Sequence, residues 1–254
     1  MKILFTICGR AGSKGLKNKN LKEFLGYPLP FYTISAIDLY LKNSPEIKAD
    51  IVLNTDSEQL IKMFDDGIKK EIDVIKREQA LGMDHIPKTA VILDCLKRMQ
   101  IKYETNYDMV VDLDITSPLR RTRDIKNLIE KKHTYSTDVV FSVTNARRNP
   151  YFNMVRKSEN GYERVMNSTF NTRQEAPDIY DMNASLYAYS PEFLESEKGL
   201  FEGYCEVIHM QDTAVLDIDH ENDFELMQVV GKYLFDKEES FNEVRNNIRN
   251  ISIK

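Results

Sequence analysis

Short apolar runs alternate with stretches of helical spacing along the first half of the chain. Residues 2–8, Lys-Ile-Leu-Phe-Thr-Ile-Cys, are rich in β-formers and closed by Gly9, which predicts a buried strand. Phe31, Ile34, Ile37 and Leu41 then recur on one helical face, with Pro28 and Pro30 marking the start. Residues 50–54 form the next apolar run, and Ser57 is placed to cap a helix striped by Leu60, Ile61 and Phe64. Residues 72–75 predict a third strand, followed by a helix from about residue 88 that carries Val91, Ile92, Cys95, Leu96 and Met99. Residues 109–113 and 139–143 predict strands four and five, with a helix over 124–132 between them. This alternation builds βα units, so the predicted fold class is α/β: three αβα layers around a mainly parallel, Rossmann-like sheet.

The rhythm breaks after about residue 144. Arg147-Arg148-Asn149-Pro150, an Asn160-Gly161 turn signal and many polar residues fill the stretch to about 182. It reads as an antiparallel arm, at about 145–182, inserted into a single domain spanning 1–254. Tyr151, Phe152, Met154 and Val155 are too apolar for a solvated arm, which predicts a homodimer contact there. Alternation resumes with strands expected at 184–189, 207–210 and 215–218, then a helix over 221–235. The charged stretch from Asp236 is expected to form a peripheral helix.

Composition narrows the function. With 42% hydrophobic and 30% charged residues the chain is globular in composition. Lys and Arg number 35 against 40 Asp and Glu, giving a net charge of −5. A general binder of nucleic acid or anionic membrane carries a basic excess, so neither partner is expected, and any anionic ligand needs a local cluster of cations. No apolar run approaches the ~18 residues of a membrane span. The apolar start runs into Gly9-Arg10-Ala11-Gly12-Ser13-Lys14 where a secretory cleavage site should lie. Three distant cysteines, Cys8, Cys95 and Cys205, suggest reduced thiols, and the expected location is the cytoplasm. His85, His133, His209 and His220 lack zinc-site spacing.

Ligands of an open parallel sheet bind beyond the carboxyl ends of its strands. The loop after the first strand holds Arg10, Lys14, Lys17, Lys19 and Lys22 without one acidic residue, and its glycines let backbone N–H groups close on phosphate. It matches neither GxxxxGK[ST] nor GxGxxG. A solvated basic loop is the alternative. Asp217-Ile218-Asp219 would place two carboxylates on one strand face, suited to Mg²⁺; a helix cap near Glu221 is the alternative. Asp114-Ile115-Thr116-Ser117-Pro118-Leu119-Arg120 is, alone, a turn and helix cap. Thr172-Arg173-Gln174 and Asp181-Met182-Asn183 flank the return to the sheet.

In this order the stretches resemble the acylneuraminate cytidylyltransferase family, which makes CMP-activated nonulosonic acids. Arg10-x-x-Ser13-Lys14-Gly15 with Lys19-Asn20-Leu21 resembles the family's phosphate loop, and Arg77-x-x-x-Leu81-x-x-Asp84 a second nucleotide loop. Thr116-Ser117-Pro118-Leu119-Arg120 is close to its QPTSPLR, and Asp217-Ile218-Asp219 to its DxD. Asp112-Leu113-Asp114, residues 146–153, Thr172-Arg173-Gln174 and residues 180–185 are more similar to the legionaminic-acid type than to the sialic-acid type. Asp114 stands where sialic-acid enzymes place a glutamine.

The resemblance implies a nucleotide-diphospho-sugar transferase fold and transfer of CMP from CTP to the anomeric hydroxyl of a nonulosonic acid, with pyrophosphate released. It implies that Arg10, Lys14 and Lys19 hold the triphosphate, that Ser13, Gly15 and Asn20 shape the loop, and that Arg77 and Asp84 lie by the cytidine. Asp217 and Asp219 would hold Mg²⁺. Arg173, Asp114 and Asn183 would meet the sugar. A CMP-Kdo or other sugar nucleotidyltransferase is the neighbouring reading, and a nucleotide-binding regulator without catalysis the reading from another class.

Overall fold

A computed structural model describes residues 1–12, 15–216 and 218–253. Seven strands form one sheet: β1 (Lys2–Cys8), β4 (Lys48–Thr55), β5 (Asp73–Lys76), β6 (Met109–Leu113), β7 (Val139–Asn145), β10 (Tyr180–Tyr189) and β11 (Cys205–His209). Between them in the chain lie two small hairpins, β2 (Glu23–Phe24) with β3 (Tyr27–Pro28), and β8 (Val155–Ser158) with β9 (Gly161–Arg164). The spatial order is β11-β7-β10-β6-β1-β4-β5. Ladders β1–β4, β1–β6, β4–β5 and β7–β11 are parallel, while β10 runs antiparallel between β6 and β7. The chain first builds outward from β1 through β4 to β5, then crosses back to β6 on the other side of β1. That reversal opens a crevice above β1 and β6.

Period-two alternation sorts the core into two layers. Ile3, Phe5 and Ile7 face helices α1 (Leu29–Lys42), α2 (Glu58–Gly67), α4 (Thr122–Thr134), α6 (Glu221–Lys237) and α7 (Glu239–Ile251). Leu4 faces the opposite layer, where α3 (Lys88–Tyr103) supplies Ile92, Cys95, Leu96 and Met99, and α5 (Pro191–Glu195) supplies Phe193 and Leu194. The Ser57 hydroxyl accepts from the Leu60 N–H at 3.2 Å, capping α2 as its sequence position predicts.

Two expectations are corrected. The stretch 215–218 is not a strand among its described residues: a 3₁₀ turn at Asp212–Ala214 is followed by irregular chain in which Ile218 is buried. Here β11 already closes the edge of the sheet, so the apolar side chains of this stretch pack as a crossover into α6 rather than as a ladder. The final helix is not peripheral. Phe241, Val244, Ile248 and Ile251 form one buried stripe, and Asn247 Nδ2 donates to Asp38 Oδ2 at 2.9 Å on α1. Its charges occupy the other face.

The antiparallel arm is present as the β8–β9 hairpin, reached from the end of β7 and left at the start of β10. Val155 and Tyr162 on it are 61% and 75% exposed, whereas Tyr151 is half-buried edge-on against Phe170. β10 starts four residues earlier than the 184 expected, and its register shifts between Met182 and Tyr187, with Ala184 at φ 51°. Among the described residues, no helix is long and apolar enough to cross a membrane.

Candidate active site

The crevice at the reversal point holds a cavity of about 430 Å³ beyond the carboxyl ends of β1, β5 and β6. Arg10, Gly15, Lys19, Asn20, Arg77, Asp84, Asp114 and Asp219 all line it, from segments distant in sequence. Ser13, Lys14 and Asp217 lie outside the described residues.

One wall is the loop after β1. Asn20 Nδ2 donates to the Arg10 carbonyl at 3.1 Å, which folds the loop on itself. Lys19 Nζ donates to the Ile218 carbonyl at 3.0 Å and stands 3.5 Å from Asp219 Oδ1. Asp219 is a rim carboxylate, its side chain 68% exposed. Gly15 sits against the backbone carbonyl of Asp219 so closely that a Cβ would overlap its oxygen. The loop and the segment before α6 therefore touch backbone to backbone.

The opposite wall follows β5. Arg77 is buried, its Nε donating to Asn54 Oδ1 at 2.7 Å and its Nη2 to the Asn54 carbonyl at 3.0 Å. Arg10 Nη1 meets Asp84 Oδ1 at 2.6 Å across the mouth, so the two nucleotide loops of the sequence reading join.

The floor carries the expected Asp114 together with Lys88, which the sequence reading missed. Lys88 Nζ lies 2.7 Å from Asp112 Oδ2 and 3.0 Å from Asp114 Oδ2. Thr6 Oγ1 donates to Asp112 Oδ1 at 2.8 Å, and the Thr116 N–H and Oγ1 donate to Asp114 Oδ1 at 2.9 and 2.7 Å. Burial opposes the charge of Asp114, yet Lys88 and the Thr116 bonds hold its carboxyl well below the usual range. Burial likewise opposes the Lys88 ammonium, which Asp112 and Asp114 hold well above its ordinary value. Beneath lies Arg120, fully buried, donating to the carbonyls of Asp114 at 2.7 Å and Ser185 at 3.1 Å and to Thr33 Oγ1 at 3.0 Å. Burial pushes its guanidinium down to about 10. Cys8 also lines the cavity, but a hydrogen bond with Cys95 and burial raise its thiol pKa, which disfavours a nucleophilic thiolate. A signal for Lys88 did exist: it opens α3, where a cation opposes the helix dipole and needs a local anion.

Two expected sugar residues do not line this cavity. Arg173 is exposed and donates to the Ala146 carbonyl at 3.3 Å. Asn183 is buried on β10 beside β7, its Oδ1 accepting from Ser142 Oγ at 2.5 Å, while its Nδ2 has no hydrogen-bond partner among the described residues. Both belong to the stretch that leads from the arm back into the sheet, Arg173 ahead of β10 and Asn183 within it.

The arrangement can neutralise a polyanion: Arg10, Lys19 and Arg77 converge on one crevice, and exposed carboxylates pair with the first two. Comparison with known proteins agrees with this chemistry. A family model described as cytidylyltransferase matches residues 4–247. The chain is 35% identical over 231 residues to the post-translational flagellin modification protein B of Campylobacter coli, covering 91% of this chain and 95% of that one. It is 35% identical over 227 residues to the CMP-N,N'-diacetyllegionaminic acid synthase of Campylobacter jejuni, covering 89% and 93%. Among solved structures, a CMP:2-keto-3-deoxy-manno-octonic acid synthetase complexed with CTP matches with a TM-score of 0.62 at 15% identity, over 92% of this chain and 99% of that one, a likeness of fold. By the match across nearly its whole length, the chain belongs to the cytidylyltransferase family.

Proposed function

We propose that the protein joins CMP from CTP to the anomeric hydroxyl of a nonulosonic acid of the legionaminic type. The oxygen of that hydroxyl attacks the α-phosphorus, its proton is released, and pyrophosphate leaves. The convergence of Arg10, Lys19 and Arg77 beside Asp219 carries the reading, because in-line transfer asks for positioning and charge neutralisation. Arg10 and Lys19 would exchange Asp84 and Asp219 for triphosphate oxygens, with Lys14, Ser13, Gly15 and Asn20 completing the loop. Arg77 and Asp84 would border the cytidine. Asp114 would accept from the sugar, Arg173 would reach it only through movement of the arm segment, and Asn183 only if its bond to Ser142 were given up.

Asp219, with Asp217, would hold Mg²⁺. Among the described residues no group of three or more His, Cys, Asp or Glu could hold a metal ion, so a dedicated protein cage is not in evidence. Mg²⁺ commonly binds through one or two carboxylates plus substrate phosphates, which is what an exposed Asp219 at the phosphate wall offers. When bound, the ion would balance charge on the phosphate oxygens.

The exposed apolar face of the arm, including Met154, Val155, Tyr162 and Met166, supports a homodimer. The free cysteines and the substrates fit the cytoplasm. Pyrophosphate release with CTP tests the proposal, using a diacetamido legionaminic-type acid, sialic acid and Kdo. Turnover should be greatest with the diacetamido sugar, and UTP should not replace CTP. Absence of release with every nonulosonic acid would refute it. A monomeric mass at micromolar concentration in an active sample would refute the dimer.

A further inference from the structure

Lys88 and Asp114 have a countable hydrogen-bonding capacity. An ammonium carries three donors and a carboxylate about four acceptor positions, two on each oxygen. Asp114 Oδ1 is filled by the two Thr116 bonds, and among the described residues Oδ2 accepts from Lys88 alone, which leaves one acceptor position open on Oδ2. Lys88 gives one donor to Asp114 and lies in ion-pair contact with Asp112, which leaves at least one donor to spare. Both side chains line the cavity, 35% and 25% exposed, so the spare donor and spare acceptor stand side by side at its floor.

The charges decide what can sit there. Asp114 at the cavity face and Asp112, fully buried behind it, take up the Lys88 charge, while Arg120 is sealed beneath by the Asp114 and Ser185 carbonyls. A carboxylate or phosphate would find the Lys88 charge already balanced and would meet the Asp114 carboxylate beside it. A neutral group that gives an N–H or O–H and offers an oxygen beside it is complementary.

We infer that Lys88 is a specificity-determining residue, forming with Asp114 a paired donor and acceptor that reads neutral acylamino and hydroxyl substituents of the sugar while its carboxylate lies toward the other cations. This rests on the proposed reaction. Lys88 also fixes the Asp114 carboxylate against the floor, so the pair acts as one unit.

The test is a double-mutant cycle of Lys88→Met, Asp114→Asn and both together, with KM for CTP and for the diacetamido sugar measured separately. Lys88→Met should raise the sugar KM by at least about tenfold, keep the CTP KM within about twofold, and cost no more when Asp114→Asn is added. Should Lys88→Met alone fail to fold because it strands Asp112, Lys88→Met with Asp112→Asn removes the stranded charge and must show the same split. An equal rise in both KM values, or additive losses in the double variant, would overturn the inference while the reaction stands. Wild-type protein inactive toward every nonulosonic acid would overturn the reaction and the inference with it.

Discussion

Alanine at position 15 asks how much of the site depends on one close backbone approach. A Cβ there would overlap the Asp219 carbonyl oxygen and stand 3.2 Å from its carbon. Ordinary contact requires the two segments to part by about 1 Å. The retreating segment carries Ile218 and Asp219, whose carbonyl and carboxylate both engage Lys19. Misplacement on that scale costs about 100-fold in rate, or roughly 2.7 kcal/mol of transition-state stabilisation. The stability cost should sit near the low end of the ~1–3 kcal/mol of overpacking, since Asp219 is at the rim and can retreat into solvent. Gly26 supplies the contrast: at φ 94° with open space around it, its alanine variant is strained but collides with nothing. Gly15→Ala should therefore lose about 100-fold in kcat/KM for pyrophosphate release with a small change in Tm, whereas Gly26→Ala should lower Tm and leave kcat/KM within about threefold. A Gly15→Ala enzyme within about threefold of wild type would refute the reasoning.

Asp219→Asn should nearly abolish turnover at limiting Mg²⁺ while the unfolding midpoint holds, because its exposed side chain packs against little; wild-type activity at limiting Mg²⁺ would remove the metal assignment. Arg120→Met should cost about 3 kcal/mol in urea unfolding, since it leaves the carbonyls of Asp114 and Ser185 buried without their donor. Asp114 has a folded pKa below the 3.8 of a free carboxyl, so its contribution is complete above that value and is given up as pH falls beneath it. Asp114→Asn should accordingly flatten the loss of Tm on acidification below pH 3.8, and parallel curves for variant and wild type would count against the Lys88 and Thr116 bonds.

Periodicity located most of the sheet and its helices because those elements are set by local patterns that tertiary packing leaves intact: β1 and β6 match the expected runs 2–8 and 109–113, and α3 starts at the expected Lys88. It failed at 215–218, where an apolar run is buried without a neighbour to pair with, a fact of sheet order rather than of the run itself. It also misjudged 239–251, whose many charges concealed a strongly one-sided stripe. In the site, the glycine- and lysine-rich loop could be read from composition, and its Arg10, Gly15, Lys19 and Asn20 line the cavity. Lys88 was not, because its meaning depends on Asp112 and Asp114 brought over by β6. Arg173 and Asn183 were placed by resemblance alone; neither lines the cavity, Arg173 bonding instead to the Ala146 carbonyl and Asn183 to Ser142.

The docking of α7 has a consequence for how the protein is made. Ser35 Oγ on α1 donates to the Val244 carbonyl at 2.5 Å, the Lys69 N–H donates to the Ile251 carbonyl at 2.8 Å, and Ile68 bridges to Ser252. Helix α1 is thus synthesised early and covered by residues more than two hundred positions later. Such long-range closure delays folding until the distant segment exists. While the ribosome is still translating the middle of the chain, the outward face of α1 stands open to water and to neighbouring nascent chains. Ribosomes stalled before position 239 should carry a protease-sensitive α1 that becomes resistant once α7 has emerged.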